Sequence, residues 1–272
     1  MDTSQQRPTA SHRSRLILGA SLAFVIGATI MILLHETGHA VMGALLGYHP
    51  QQLPFGVDYT PAPPPEPHVL TLLAGPVFSF VTGVIGVIVD RALTPFRNRP
   101  FWRLVWLWTI FTSIQEGLGY LQVTALMPAG DTAQAFTLLG LPPGAFIAAT
   151  VIGWLGLPLT AWAFAAPIRE LAASDRDRTA MAVWAWLLGT GVLLALMALY
   201  VVLSPIDDSG AVTAVLAGAA AIGVFAPVSM MFRPGAGAET APQFRWPHLG
   251  GFVLLAVLVA VNLVLTRGWF WP

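Results

Sequence analysis

Seven stretches of this chain are apolar enough, and long enough, to lie in hydrocarbon. They run Leu16–Leu46, Val69–Val89, Phe101–Leu126, Ala145–Ala166, Ala180–Leu203, Ala211–Phe232 and Leu249–Thr266, where a span needs about 17–25 residues. A bilayer interior offers no water to backbone N–H and C=O groups, so only helices and closed barrels can cross it. Runs of this length are helical. The expected fold is therefore all-α and polytopic, with about seven transmembrane helices in a lipid bilayer. Composition agrees, since 10% of the residues are charged against about a quarter in a soluble domain. The first run is over-long for one span and must tilt or project beyond the hydrocarbon. No proline or polar turn interrupts it, so it reads as one helix. A signal peptide is the competing reading of residues 1–44. The apolar core is longer than such a region usually is, and cleavage would strand the motif that follows.

That motif is His35-Glu36-Thr37-Gly38-His39, preceded by Leu16–Leu34 without one charged residue. Side chains four apart share a helix face, so His35 and His39 can offer two imidazoles to one metal ion. Glu36 is then placed to take a proton from water at that ion. Polar groups on a membrane helix are costly unless paired or ligated, which makes metal chemistry the first reading. The chain has no cysteine, so a zinc ion would have to be held by histidine and carboxylate. The expectation is one zinc per chain. A formal net charge of +0 argues against a nucleic-acid partner, which calls for a basic face.

All thirteen basic residues are arginine, and their placement orients the runs. Arg7, Arg13 and Arg15 precede the first. Arg91, Arg97, Arg99 and Arg103 lie at or before the start of the third, Arg169, Arg176 and Arg178 between the fourth and fifth. Arg233 and Arg245 separate the sixth from the seventh, leaving Arg267 alone on the other side. The positive-inside rule then puts the N-terminus in the cytoplasm and the C-terminus outside, in a multi-pass protein of the cell membrane. Trp269, Phe270 and Trp271 read as an interfacial aromatic anchor.

Between the runs, residues 48–68 hold seven prolines. They exclude a long helix and predict a short extended, β-like segment at the interface after the first helix. Met127-Pro128-Ala129-Gly130-Asp131 reads as a turn before a short helix that Asp131 caps. Asp207 and Asp208 sit in a short outer turn. Gly and Ala crowd Ala211–Ala226, as in close helix packing, and Asn262 suits a helix–helix hydrogen bond. The chain divides into a cytoplasmic tail (1–15), a three-span core that carries the motif (16–143), and four further spans of unassigned role (144–272). No stretch between spans is long enough for a separate folded domain.

Catalytic zinc usually takes three protein ligands and keeps a fourth position open. His35 and His39 lie about 20 residues into the first span, roughly 30 Å along it and so at its outer end. Asp131 follows the third span, which runs the same way and ends at the same depth. Glu116, about 15 residues or roughly 22 Å into that span, is the alternative ligand. It could instead hold a histidine or the substrate, or be a buried protonated acid bonded to Gln115, Tyr120 or another helix. His12, His49, His68 and His248 read as surface or interfacial residues.

Three blocks now resemble the site-2 proteases, a family of intramembrane zinc metalloproteases. Ile30-Met31-Ile32-Leu33-Leu34-His35-Glu36-Thr37-Gly38-His39-Ala40 is similar to the family's apolar HExGH helix. Leu73-Ala74-Gly75-Pro76-Val77-Phe78-Ser79 is similar to its AGP segment, and Leu126-Met127-Pro128-Ala129-Gly130-Asp131 to the loop bearing its aspartate ligand. The likeness covers roughly residues 20–140. Ser79 stands where the family usually has asparagine, and Thr132 follows Asp131 where it usually has glycine. The resemblance implies that His35, His39 and Asp131 bind zinc and that Glu36 is the general base. It also implies a membrane-protein substrate, held unwound along Leu53–Tyr59 by strand addition. The alternative is a non-proteolytic membrane binding or transport protein with a metal-holding or vestigial HExxH site.

Overall fold

The computed structural model describes residues 10–205, 209–235, 237–240, 244 and 246–271; Arg7, Arg245, Asp207 and Asp208 lie outside them. The elements are α1 (Ala10–Leu45), β1 (His49–Leu53), β2 (Gly56–Thr60), α2 (Pro65–Leu93), α3 (Pro100–Gln122) and α4 (Asp131–Leu138). There follow α5 (Pro143–Leu171), α6 (Asp175–Thr179), α7 (Ala185–Leu203), α8 (Ser209–Ala221), α9 (Leu249–Leu265) and β3 (Trp269–Phe270). A π-helical turn, Ala180–Trp184, joins α6 to α7 without a break. α1 is unbroken over 36 residues, roughly 54 Å at the rise of an α-helix.

Five helices are long and apolar enough to cross a membrane: α1, α2, α5, the continuous α6–α7 helix and the segment Gly210–Met231. Their outward faces carry large apolar side chains such as Ile88, Leu155 and Val202 in the open. Continuous apolar surface of this kind suits lipid rather than water, as expected of an integral membrane protein. The other two expected spans differ for separate reasons. α3 carries Arg103, Gln115 and Glu116 and is wrapped by α1, α2 and α5, so protein rather than lipid surrounds much of it. α9 is a helix of 17 residues. Within the run Ala211–Phe232, α8 stops at Ala221. Gly223 turns the chain at φ 75, and a 3-10 turn continues over Ala226–Met231.

Glycine lets three helices close on α3. A Cβ on Gly27 of α1 would stand 2.9 Å from the amide nitrogen of Thr109, and one on Gly83 of α2 would stand 2.8 Å from that of Ile114. On Gly153 of α5 it would come within 2.6 Å of the Cα of Gln122. Small residues at such crossings let backbones approach and gain packing where lipid provides no hydrophobic drive. The core they enclose holds Phe24, Trp108 and Phe164, with Trp108 edge-on to Phe24 at 4.8 Å between ring centroids. Met181, Leu193, Tyr200 and Leu258 join the same cluster, so the second half of the chain packs directly on α1.

The proline-rich stretch after α1 forms an antiparallel hairpin, with β1 paired to β2 from His49↔Thr60 to Leu53↔Gly56. Trp269 and Phe270 add a third strand, and the order is β2-β1-β3. The amide of Trp271 also donates to the Pro50 carbonyl at 3.0 Å. The C-terminal ends of α1 and α9 therefore meet at one end of the bundle. The Asn262 side-chain amide donates to the Leu258 carbonyl of its own helix at 2.9 Å.

Candidate metal centre

His35 and His39 project from the last turns of α1 onto the N-terminal half of α2. The Nδ1 of His39 lies 2.7 Å from the Thr71 carbonyl. A carbonyl can only accept, so Nδ1 carries the hydrogen, and in the neutral ring Nε2 is left with a lone pair. The Nδ1 of His35 lies 3.1 Å from the Ser79 hydroxyl. Both rings are thus held from behind, as metal-ligating histidines usually are, and both Nε2 atoms point the same way. They stand 3.0 Å apart. Asp131 Oδ2 completes the group at 3.6 Å from His35 Nε2 and 3.3 Å from His39 Nε2.

One donor atom from each residue lies within 4.8 Å of the others, and both histidines are buried. Lone pairs so close in a dry site repel unless a proton or a metal cation sits among them. The three residues could hold a metal ion. Gly75 makes the room: a Cβ there would collide with His39 Nε2 and stand 2.7 Å from His35 Nε2. The donor set, two imidazoles and a carboxylate, is one that suits zinc.

Asp131 arrives by an unexpected route. It is the first residue of α4, and Gly130, not Asp131, takes the capping position, with no side-chain cap bond. Its carboxylate instead turns to the histidines. Burial pushes that carboxyl up, but the two imidazoles at its oxygen outweigh burial and hold it below the usual carboxylate range. Glu116 is not among the three converging residues. It lies in the wall of a cleft of about 330 Å³ that reaches Asp131 and Tyr120 from the α8 side, where Ala214, Ala217 and Gly218 form the opposite face.

A second cleft, of about 640 Å³, is lined by Glu36, His39, Tyr120 and Asp131, and across from them by residues 55–59 of the hairpin. Glu36 is 7% exposed there. Several contributors carried no signal in the one-dimensional pattern. Tyr120 stacks on the His35 ring, with centroids 5.2 Å apart and planes 11° from parallel. Tyr59 donates its hydroxyl to the His39 carbonyl at 3.2 Å; burial pushes its phenol up, so it stays a neutral donor. Gln52 donates to Thr37 at 3.3 Å and accepts from the Trp271 indole at 3.1 Å, tying the C-terminus to the histidine motif. His68, expected at the surface, lines this cleft as well. No family model, curated protein or solved structure matches the chain.

Proposed function

We propose that this protein is an intramembrane zinc metalloprotease of the site-2 protease type, which hydrolyses peptide bonds in or beside transmembrane segments of other membrane proteins. The observation that carries the reading is the convergence of His35, His39 and Asp131 beside a cleft that His39, Asp131 and Glu36 line. His35, His39 and Asp131 would hold the ion. Zinc bound there supplies Lewis acidity and lowers the pKa of water toward neutrality. Glu36 accepts the proton of the attacking water and returns it to the amine that leaves. The site lies at the outer face if the arginines mark the cytoplasm.

A substrate helix must unwind before its carbonyl can be attacked, and the hairpin supports that step. β1 lies between β2 and β3, so β2 has one edge without a strand partner among the described residues. Residues 56–59 of that strand line the cleft opposite Glu36. An extended segment added to this edge gains backbone hydrogen bonds while its carbonyls pass the metal ligands.

The test is cleavage of a co-expressed membrane protein, with zinc measured on the same purified enzyme. Glu36→Gln should lower cleavage at least about 100-fold while about one equivalent of zinc remains, as expected of an intact three-ligand site. Cleavage that survives Glu36→Gln would overturn the mechanism. A wild-type chain that holds zinc and cleaves no membrane substrate would favour a metal-holding binding or transport protein.

A further inference from the structure

At the end of the helices away from the metal centre, a cavity of about 380 Å³ opens between α2, α3 and α5. Its volume falls within the range of about 300–1,000 Å³ common to small-molecule sites. The walls change character with depth. The exposed Arg91, Glu170 and Arg233 surround the mouth, the half-buried Asp90 and buried Arg103 line the wall beside them, and the Leu107–Ile114 face of α3 with Ala163 and Phe164 of α5 forms the shaft. Arg103 and Ile114 are separated by roughly 16 Å of α3 at the helical rise. A charged mouth on an apolar shaft of that length has the shape of an amphiphile.

The charges at the mouth do not cancel. Arg103 is occupied by Asp90: its Nη2 donates to Oδ2 at 2.9 Å and its Nη1 donates to Oδ1, while the Trp106 indole donates to the same Asp90 Oδ1 at 2.9 Å. Arg91 and Arg233 then face one exposed carboxylate, Glu170, which leaves a net positive charge. Arg233 is held with its guanidinium carbon 5.2 Å over the Trp162 ring. Stacking engages the plane of the group and leaves its N–H edge turned toward an anion. Basic pockets between membrane helices are recognised sites for anionic headgroups.

We propose that this cavity binds an anionic phospholipid, with its phosphate between Arg91 and Arg233 and one acyl chain along α3 toward Ile114. A zwitterionic lipid has the chain without the net charge, and a free phosphate has the charge without the chain. Neither satisfies both ends of the cavity. The site is independent of the proteolytic reading, since it shares no residue with the metal centre.

Native mass spectrometry of the full chain in detergent tests this, with dioleoylphosphatidylglycerol, dioleoylphosphatidylcholine and glycerol 3-phosphate as probes. Phosphatidylglycerol should be retained in preference to phosphatidylcholine, and Arg91→Gln and Arg233→Gln should each lower that retention roughly fivefold. Ala163→Trp, which fills the shaft and leaves the charge alone, should abolish it. Glu170→Gln should raise retention, a gain that misfolding does not produce. Equal retention of the two lipids, displacement by glycerol 3-phosphate, or retention unchanged in both arginine variants would overturn the proposal.

Discussion

A single methyl group at residue 75 would fill the space that the two Nε2 atoms face. Gly75→Ala should therefore remove bound metal, as elemental analysis of the purified protein would read, with helix content by circular dichroism unchanged. Ser79→Ala takes away only the partner of His35 Nδ1 and should weaken metal affinity about 10–100-fold. The third ligand is tested by comparing Asp131→Ala with Glu116→Ala. Metal should be lost from the first and kept in the second; the reverse would place Glu116 in the centre. The histidine motif was legible because both histidines lie on one helix, where a spacing of four defines a shared face. Asp131 against Glu116 stayed open in the sequence because position along a span gives depth and nothing about lateral neighbours. In the structure the turn at Met127–Gly130 brings Asp131, at the start of α4, beside the two histidines.

At the scale of the element, the hairpin between α1 and α2 lines the same cleft as His39 and Asp131 of the candidate metal centre. Deleting Leu53–Tyr59 removes the free strand edge but none of the converging ligands. Cleavage of a membrane substrate should be lost with zinc retained; unchanged cleavage would remove strand addition from the mechanism. Seven prolines in residues 48–68 announced an extended stretch, because each denies the helix an amide and fixes φ. They could not announce β3. Trp269 and Phe270 pair with Gln52 and Gln51, a contact between residues more than two hundred positions apart that no local pattern encodes. Trp269 and Phe270 thus act as a strand against β1, with Trp271 bonded to Pro50 and Gln52 beside them. α3 is the converse case. Its hydropathy is diluted by Arg103, Gln115 and Glu116, because neighbouring helices can satisfy polar groups that lipid cannot.

For the molecule as a whole, α3 is the post around which α1, α2 and α5 are built, and its polar end is tied down by an ion pair between a buried arginine and a half-buried aspartate. Arg103 is 4% exposed and bonds Asp90 of α2. Removing one partner of such a pair leaves an uncompensated charge in a low-dielectric interior, so Asp90→Ala should cost about 3–5 kcal/mol. Thermal unfolding in detergent would show it as a lowered midpoint, and replacing both partners with apolar residues should restore much of the loss. The four spans expected in 144–272, three of which are helices long and apolar enough to cross a membrane, had no motif to explain them. Part of their role is mechanical: Gly189 and Gly223 press on Phe24 of α1, and Leu193, Met197 and Tyr200 complete the core beside it.

What the sequence determined by itself was the solvent and the shared face of the two histidines. Apolar runs specify helices in lipid because backbone polar groups there have no other partner, and an HExxH spacing specifies two imidazoles on one face because helix geometry is local. The tertiary structure decided which residues meet those imidazoles. Asp131, Thr71, Ser79, Tyr120 and the missing side chain of Gly75 come from three separate segments. Their convergence depends on which helix faces pack together, which glycines allow close crossings, and where one turn redirects the chain. Those are properties of packing between elements, and periodicity along a single element does not contain them.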